Sequence, residues 1–219
     1  MPMPSQNNLQ IHHLGRRDYV LTWRAMQQFT AQRAATAADE IWLVEHPSVY
    51  TQGLNGKAEH LITPGAIPVV QTDRGGQITY HGPGQLLAYV LVDLKRKGWG
   101  IRDLVSRLEQ AVIDLLHDYG IAAVARCDAP GVYVNGAKIA ALGLRVKRGC
   151  SYHGLSFNVA MDLEPFSHIN PCGYAGLPVT QLSALGGPTG LTEVAEVLLK
   201  HLCTRLGYNS AQIMTEPVL

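Results

Sequence analysis

The dipeptide Asn135-Gly136 stands between two strand-like runs, Gly131-Val-Tyr-Val134 and Ala137-Lys-Ile-Ala-Ala-Leu-Gly-Leu-Arg-Val146. A two-residue type I′ turn needs positive φ at both central positions, and Asn-Gly tolerates it at both; the twist of such a turn also matches that of the strands it joins. These residues therefore specify an antiparallel hairpin. The run Leu86-Leu-Ala-Tyr-Val-Leu-Val-Asp93 reads as a core strand, and Glu40-Ile-Trp-Leu-Val-Glu45 as another. Shorter strands are expected at 9–14, 69–71 and 151–159. Residues 101–119 keep Ile101, Leu104, Val105, Leu108, Val112, Leu115, Leu116 and Tyr119 on one stripe at helical spacing, with Gly120 as a stop. Further helices are expected at 19–36, capped by Asp18, and at 193–206, capped by Thr192 and stopped by Gly207. Hairpins and strands with helices at irregular intervals predict an α+β fold, not a doubly wound parallel sheet.

A chain of 219 residues can close one core of this kind. Residues 1–8, MPMPSQNN, are expected to be a flexible start, and 9–219 a single domain. That start lacks the charged and apolar regions of a secretory signal, and no apolar run reaches about 18 residues, so neither export nor membrane insertion is expected. Eighteen basic against 17 acidic side chains leave a net charge of +1, which argues against general nucleic-acid binding. Two local basic clusters stand out, Lys95-Arg96-Lys97 and Arg145, Lys147, Arg148. Each is either solvated surface or a docking site for an acidic partner. The four cysteines, Cys127, Cys150, Cys172 and Cys203, are irregularly spaced with no CxxC pair, which reads as reduced thiols in a cytoplasm.

Three segments carry candidate chemistry. The first, Arg74-Gly-Gly-Gln-Ile-Thr-Tyr-His-Gly-Pro-Gly-Gln85, is read as a loop with Tyr80 and His81 in its middle. Its glycines let backbone approach a ligand closely, yet it matches neither GxGxxG nor GxxxxGK[ST]. It is either a tight inter-strand connection or a cradle for a carbonyl or acyl group. In the second, Lys138 heads the apolar strand after the hairpin turn, as a solvated strand-end lysine or as an inward-facing cation able to pair with a thiolate. In the third, His168-Ile-Asn-Pro-Cys172-Gly-Tyr, Pro171 and Gly173 hold Cys172 in a turn. It is a packed thiol or a nucleophile. A zinc site on His168 and Cys172 is disfavoured, since no paired ligand motif exists elsewhere and the proline breaks helical i, i+4 geometry. No metal is expected.

Taken together, RGGQITYHGPGQ, GVYVNGAKIAALGLR, YHGLSFNV and INPCGYAGLPVTQL resemble the lipoyl(octanoyl) transferases over about residues 41–182, and more weakly in the flanking helices. The resemblance implies the α+β catalytic fold of biotin and lipoate protein ligases, with mixed sheets and surrounding helices. It implies Cys172 as the acyl-thioester nucleophile, with Lys138 lowering its pKa. The implied substrate pocket comprises Arg74, Gly75, Gly76, Gln77, Ile78, Thr79, Tyr80 and His81, then Ala141, Leu142 and Gly143, then Gly154, Leu155 and Ser156. The implied donor is octanoyl-acyl carrier protein. The implied acceptors are lipoyl domains of 2-oxoacid dehydrogenase E2 subunits and the glycine cleavage H protein. No cofactor is implied.

The chemistry is coherent on its own terms. An enzyme thiol splits transfer from a carrier thioester to an amine into two easier steps. A free cysteine, with a pKa of about 8.5, needs a nearby cation to attack as thiolate at neutral pH. Backbone N–H groups around the Cys172 turn are the expected oxyanion donors. Three rivals share parts of this pattern: an ATP-dependent lipoate or biotin ligase, an amidase-like relative that relays acyl groups, and a non-catalytic module that binds acylated proteins. The Pro-Cys-Gly motif and the glycine-rich loop favour the transferase over the ligase, and the presence of both Cys172 and Lys138 disfavours the binding module.

Overall fold

The computed structural model describes residues 9–170 and 176–215. The flexible start expected at residues 1–8 and the expected nucleophile Cys172 lie outside them.

Strands β1 (Leu9–Arg16), β2 (Asp39–Glu45), β3 (Val49–Gln52), β4 (Val69–Gln71), β5 (Ile78–His81), β6 (Gln85–Leu91), β7 (Val124–Ala125), β8 (Gly131–Val134), β9 (Ala137–Lys147), β10 (Cys150–Asn158) and β11 (Ala211–Met214) alternate irregularly with helices α1 (Tyr19–Gln32), α2 (Leu94–Lys97), α3 (Ile101–Asp118) and α4 (Leu191–Leu206). The main sheet has eight strands in the order β11-β1-β2-β6-β10-β9-β8-β7, and a small sheet runs β4-β3-β5. Both sheets are mixed: β1 pairs parallel with β11 and β2, and β3 parallel with β4, while the remaining pairs are antiparallel. The expected α+β architecture is the one observed.

Strand β6 explains the layering. Its residues point alternately to the two faces, and both faces are apolar. Leu86, Ala88 and Val90 join a core with Leu104, Leu108, Leu115, Leu198 and Leu202 of α3 and α4. Leu87, Tyr89 and Leu91 pack on the other face with Met26 of α1 and Trp42. The candidate site lies on that second face, between the main sheet and the small one.

The hairpin turn has φ of 49° at Asn135 and 83° at Gly136, both positive as a type I′ turn demands. Asp18 caps α1 by accepting from the Leu21 N–H at 2.9 Å. Three sequence expectations need correction. Helix α1 stops at Gln32, not residue 36, because Arg33 turns extended and sends its guanidinium to Leu91 O, Ala38 O and Asp39. Helix α4 begins at Leu191 with Gly190 as its cap, so Thr192 lies inside the first turn. Within the glycine-rich segment, Ile78–His81 is strand, paired antiparallel with β3, so Tyr80 and His81 are not loop residues.

Candidate active site

Residues 74–77 leave the small sheet and are laced down on two sides. Arg74 is buried, and its guanidinium donates to Thr51 Oγ1 at 2.9 Å, Gly75 O at 3.0 Å and Gln77 O at 2.8 Å. On the other side the Gly75 N–H donates to Leu144 O of β9 at 2.8 Å. Arg74 therefore acts as a staple that shapes the loop, with its charge spent on protein oxygens. The loop, β5, β9 and β10 line one pocket.

Of the residues expected at a substrate pocket, Arg74, Gly76, Gln77, Ile78, Thr79, His81, Ala141–Gly143 and Gly154–Ser156 line this cavity together. Two do not. Gly75 borders an adjoining groove with Ile101, Val105 and Pro130. Tyr80 faces the opposite side of β5, where it packs against Tyr50 and Phe166 and bonds Ser48 Oγ at 2.9 Å. The period of two along a strand separates it from Thr79 and His81.

The structure adds residues that the sequence reading missed. Tyr19, Leu87, Tyr89 and His153 also line the pocket. Tyr19 stacks on His81 with ring centroids 5.8 Å apart, and His46 Nε2 meets the Tyr89 hydroxyl at 2.7 Å. Burial depresses both histidines, His46 to about 4 and His81 to about 3, so both are neutral at physiological pH. His153 adopts φ of +60° inside a strand, an unusual conformation for a non-glycine residue, and its Nε2 meets Asp73 Oδ1 at 3.0 Å. Burial pushes the Asp73 carboxyl up, but bonds from His153, Tyr152, Gln27 and Trp23 outweigh it and hold the group well below the usual carboxylate range. Only the string Tyr152-His153-Gly154 hinted at this network, because its other members come from distant segments.

Lys138 faces inward. It is 4% exposed, its Nζ donates to Pro130 O at 3.3 Å, and the ammonium sits 5.2 Å from the Tyr133 ring centroid. It lines a small recess that shares Thr79, Ala141 and Ser156 with the main pocket. The described chain on either side of Cys172 is anchored at two places, the downstream one at Lys138 itself. Upstream, the Asn170 N–H donates to His60 O at 2.8 Å. Downstream, the Lys138 N–H donates to Pro178 O at 2.8 Å and the Thr180 N–H to Lys138 O at 2.9 Å. His168 pairs through Nε2 with Glu164 at 2.9 Å. Among the described residues no group of three or more metal-type side chains forms a candidate metal site.

The basic clusters divide. Arg96 pairs with buried Asp39 at 2.6 Å, and the Lys97 ammonium lies 3.7 Å from the Tyr208 ring centroid. Lys95, Arg145, Lys147 and Arg148 remain exposed. No described helix is long and apolar enough to cross a membrane.

Residues 18–203 match the family described as the lipoyl protein ligase A/B catalytic domain. The chain belongs to that family. Similar relatives within it are the octanoyltransferases of Stutzerimonas stutzeri, 62% identical over 90% of each chain, and of Vibrio vulnificus, 57% identical over 96% of this chain and 97% of that one. The family member described here is accordingly an acyltransferase. Its fold recurs in the bipartite lipoate protein ligase of Thermoplasma acidophilum, with a TM-score of 0.78 at 15% identity over 96% of this chain and 88% of the other. It recurs more distantly in the biotin protein ligase of Aquifex aeolicus, with a TM-score of 0.54 at 15% identity over 92% and 69%. The fold class implied by the sequence motifs is thus the one found.

Proposed function

We propose that this lipoyl ligase-family enzyme moves an octanoyl group from octanoyl-acyl carrier protein to a lysine of lipoyl domains, by ping-pong transfer through Cys172. The observation that carries the reading is Lys138: a buried cation beside an enclosed pocket, with the chain that follows Cys172 hydrogen-bonded along its backbone.

In the first step the Cys172 thiolate attacks the thioester carbonyl, and the tetrahedral oxyanion collapses by expelling the carrier thiolate, which takes up a proton. In the second, the acceptor amine attacks the enzyme thioester, loses a proton as the amide forms, and releases the Cys172 thiolate again. The first exchange is nearly balanced and the second runs downhill, so no ATP is consumed. The Lys138 ammonium stabilises the thiolate relative to the thiol. Burying roughly seven acyl carbons at about 0.8 kcal/mol each supplies about 5 kcal/mol for holding the chain in the pocket. The acceptors in this reading are E2 lipoyl domains and the glycine cleavage H protein. Reaction in a cytoplasm fits four irregularly spaced cysteines with no CxxC pair.

The test supplies the enzyme with octanoyl-acyl carrier protein and an unmodified lipoyl domain, without ATP. Octanoylated lipoyl domain is the expected product. Product that forms only with free octanoate, ATP and magnesium would replace transfer with a ligase reaction.

A further inference from the structure

One buried carboxylate near the site has no part in the proposed chemistry. Glu109, in the middle of α3, is 8% exposed, and its Oε1 accepts from the Gly131 N–H at 2.8 Å. That N–H belongs to the Pro130–Gly131 peptide, whose own carbonyl, Pro130 O, accepts from Lys138 Nζ. One rigid amide thus holds a carboxylate on its N–H side and an ammonium on its C=O side. A peptide plane cannot rotate one group without the other.

Two neighbouring features keep this amide in place. Gly131 has φ of +145°, and a Cβ there would stand 2.6 Å from Ala140 O and 3.1 Å from Lys138 Cε, so the lysine stem fills the space a side chain would need. The Tyr133 hydroxyl donates to Ala129 O at 2.6 Å and closes the same turn. Burial raises the Glu109 carboxyl pKa, while the Gly131 N–H and the charge of Lys138 pull it back.

We propose that Glu109 is a positioning residue: by orienting the Pro130–Gly131 peptide it aims a carbonyl at the Lys138 ammonium and fixes that cation at the acyl pocket. The inference rests on the Cys172–Lys138 reading above, and its test separates the two.

Glu109→Gln keeps an acceptor oxygen at the same reach and removes the charge. Glu109→Asp keeps the charge and withdraws it by one methylene. The Lys138 pKa is read from the Cε resonance of lysine-labelled protein, assigned by its absence in Lys138→Arg. Glu109→Asp is expected to lower it by about one pH unit, roughly a tenfold loss of proton affinity, because a hydrogen bond to the charged form is lost. Glu109→Gln is expected to lower it less, because only the attraction of the carboxylate for the Lys138 ammonium is lost while the hydrogen bond to the Gly131 N–H is kept. The reverse order, equal shifts in both, or no shift in either would overturn the peptide relay. Alkylation of Cys172 at neutral pH is measured in parallel with Lys138→Ala as reference. If Lys138→Ala alkylates like wild type, the cysteine–lysine reading itself fails. If Lys138→Ala slows alkylation while both Glu109 variants titrate as wild type, only the relay fails.

Discussion

Acidification should unfold this protein through two histidines that the fold keeps neutral. In the unfolded chain both titrate near 6.5; in the folded chain burial lowers His46 to about 4 and His81 to about 3. Their folded pKa lies below the unfolded one, so the unfolded state binds more protons between those values. Stability is then constant above about pH 7 and falls as pH drops below 6.5. Each histidine contributes at most about 1.4 kcal/mol per pH unit. From pH 7 to 4.5 this amounts to about 2.5 kcal/mol each, or roughly 5 kcal/mol together. Glu40 and Glu109, whose carboxyls burial pushes up, oppose the trend, while His12 and His153, which burial also lowers, add to it. A domain with about 5–15 kcal/mol in hand would lose a large share of it. Urea unfolding at half-unit pH intervals reads the slope, and His46→Gln should remove about half of it even though its baseline is lower. A flat profile from pH 7 to 4.5, or side-chain titrations of both histidines near 6.5, would refute the reasoning.

Other perturbations probe the pocket and its surroundings. Arg74→Lys replaces a fork by a single ammonium and strips Gln77 O or Thr51 of its donor, which should cost about 2–4 kcal/mol in urea unfolding and raise KM for the donor; an unchanged midpoint would remove the staple. Gly154→Ala places a Cβ 2.0 Å from Ala88 O, so β10 must separate from β6 under the pocket, at about 3 kcal/mol of stability read from the melting midpoint. Reversing the exposed charges Lys147 and Arg148 to glutamate should lower kcat/KM for an acidic carrier-protein donor about tenfold at low salt, with the gap closing at high salt. An octanoyl thioester of a small thiol should react with that variant as with wild type, and an equal loss there would place the effect in the pocket rather than in docking.

What could be read from the sequence was what local chemistry decides. Asn135-Gly136 fixes its hairpin without help, and the two-sided apolar run at 86–92 has few options other than a central strand. Helix α3 carries its own stripe and its own stop. Long-range pairings were invisible by contrast. Val49–Gln52 is too short to announce itself, and it is a strand because β4 and β5 flank it. Ala211–Met214 pairs with β1 from the other end of the chain. The end of α1 depends on Arg33 finding Asp39, and a cap at Gly190 instead of Thr192 depends on where the preceding loop arrives.

The site divides along the same line. Motif strings pointed to most of the residues around the pocket, because neighbouring strands present short consecutive segments to it. They did not exclude Tyr80, whose side of β5 depends on register, nor reveal Tyr19, His46 and Asp73, which reach the pocket's polar wall from separate elements. The direction of the Lys138 side chain was open in the sequence and is decided by Pro130, Tyr133 and the strand-like run 178–180 around it.

The most direct test of the mechanism is a single mass measurement. Enzyme is mixed with octanoyl-acyl carrier protein in the absence of acceptor, and the intact chain is weighed before and after hydroxylamine. Transfer through an enzyme thioester predicts one octanoyl group per chain, mapped to Cys172, released by hydroxylamine and missing from Cys172→Ser. A chain that turns over yet never gains that mass, or a Cys172→Ser variant that still carries it as a hydroxylamine-labile adduct, would contradict the account.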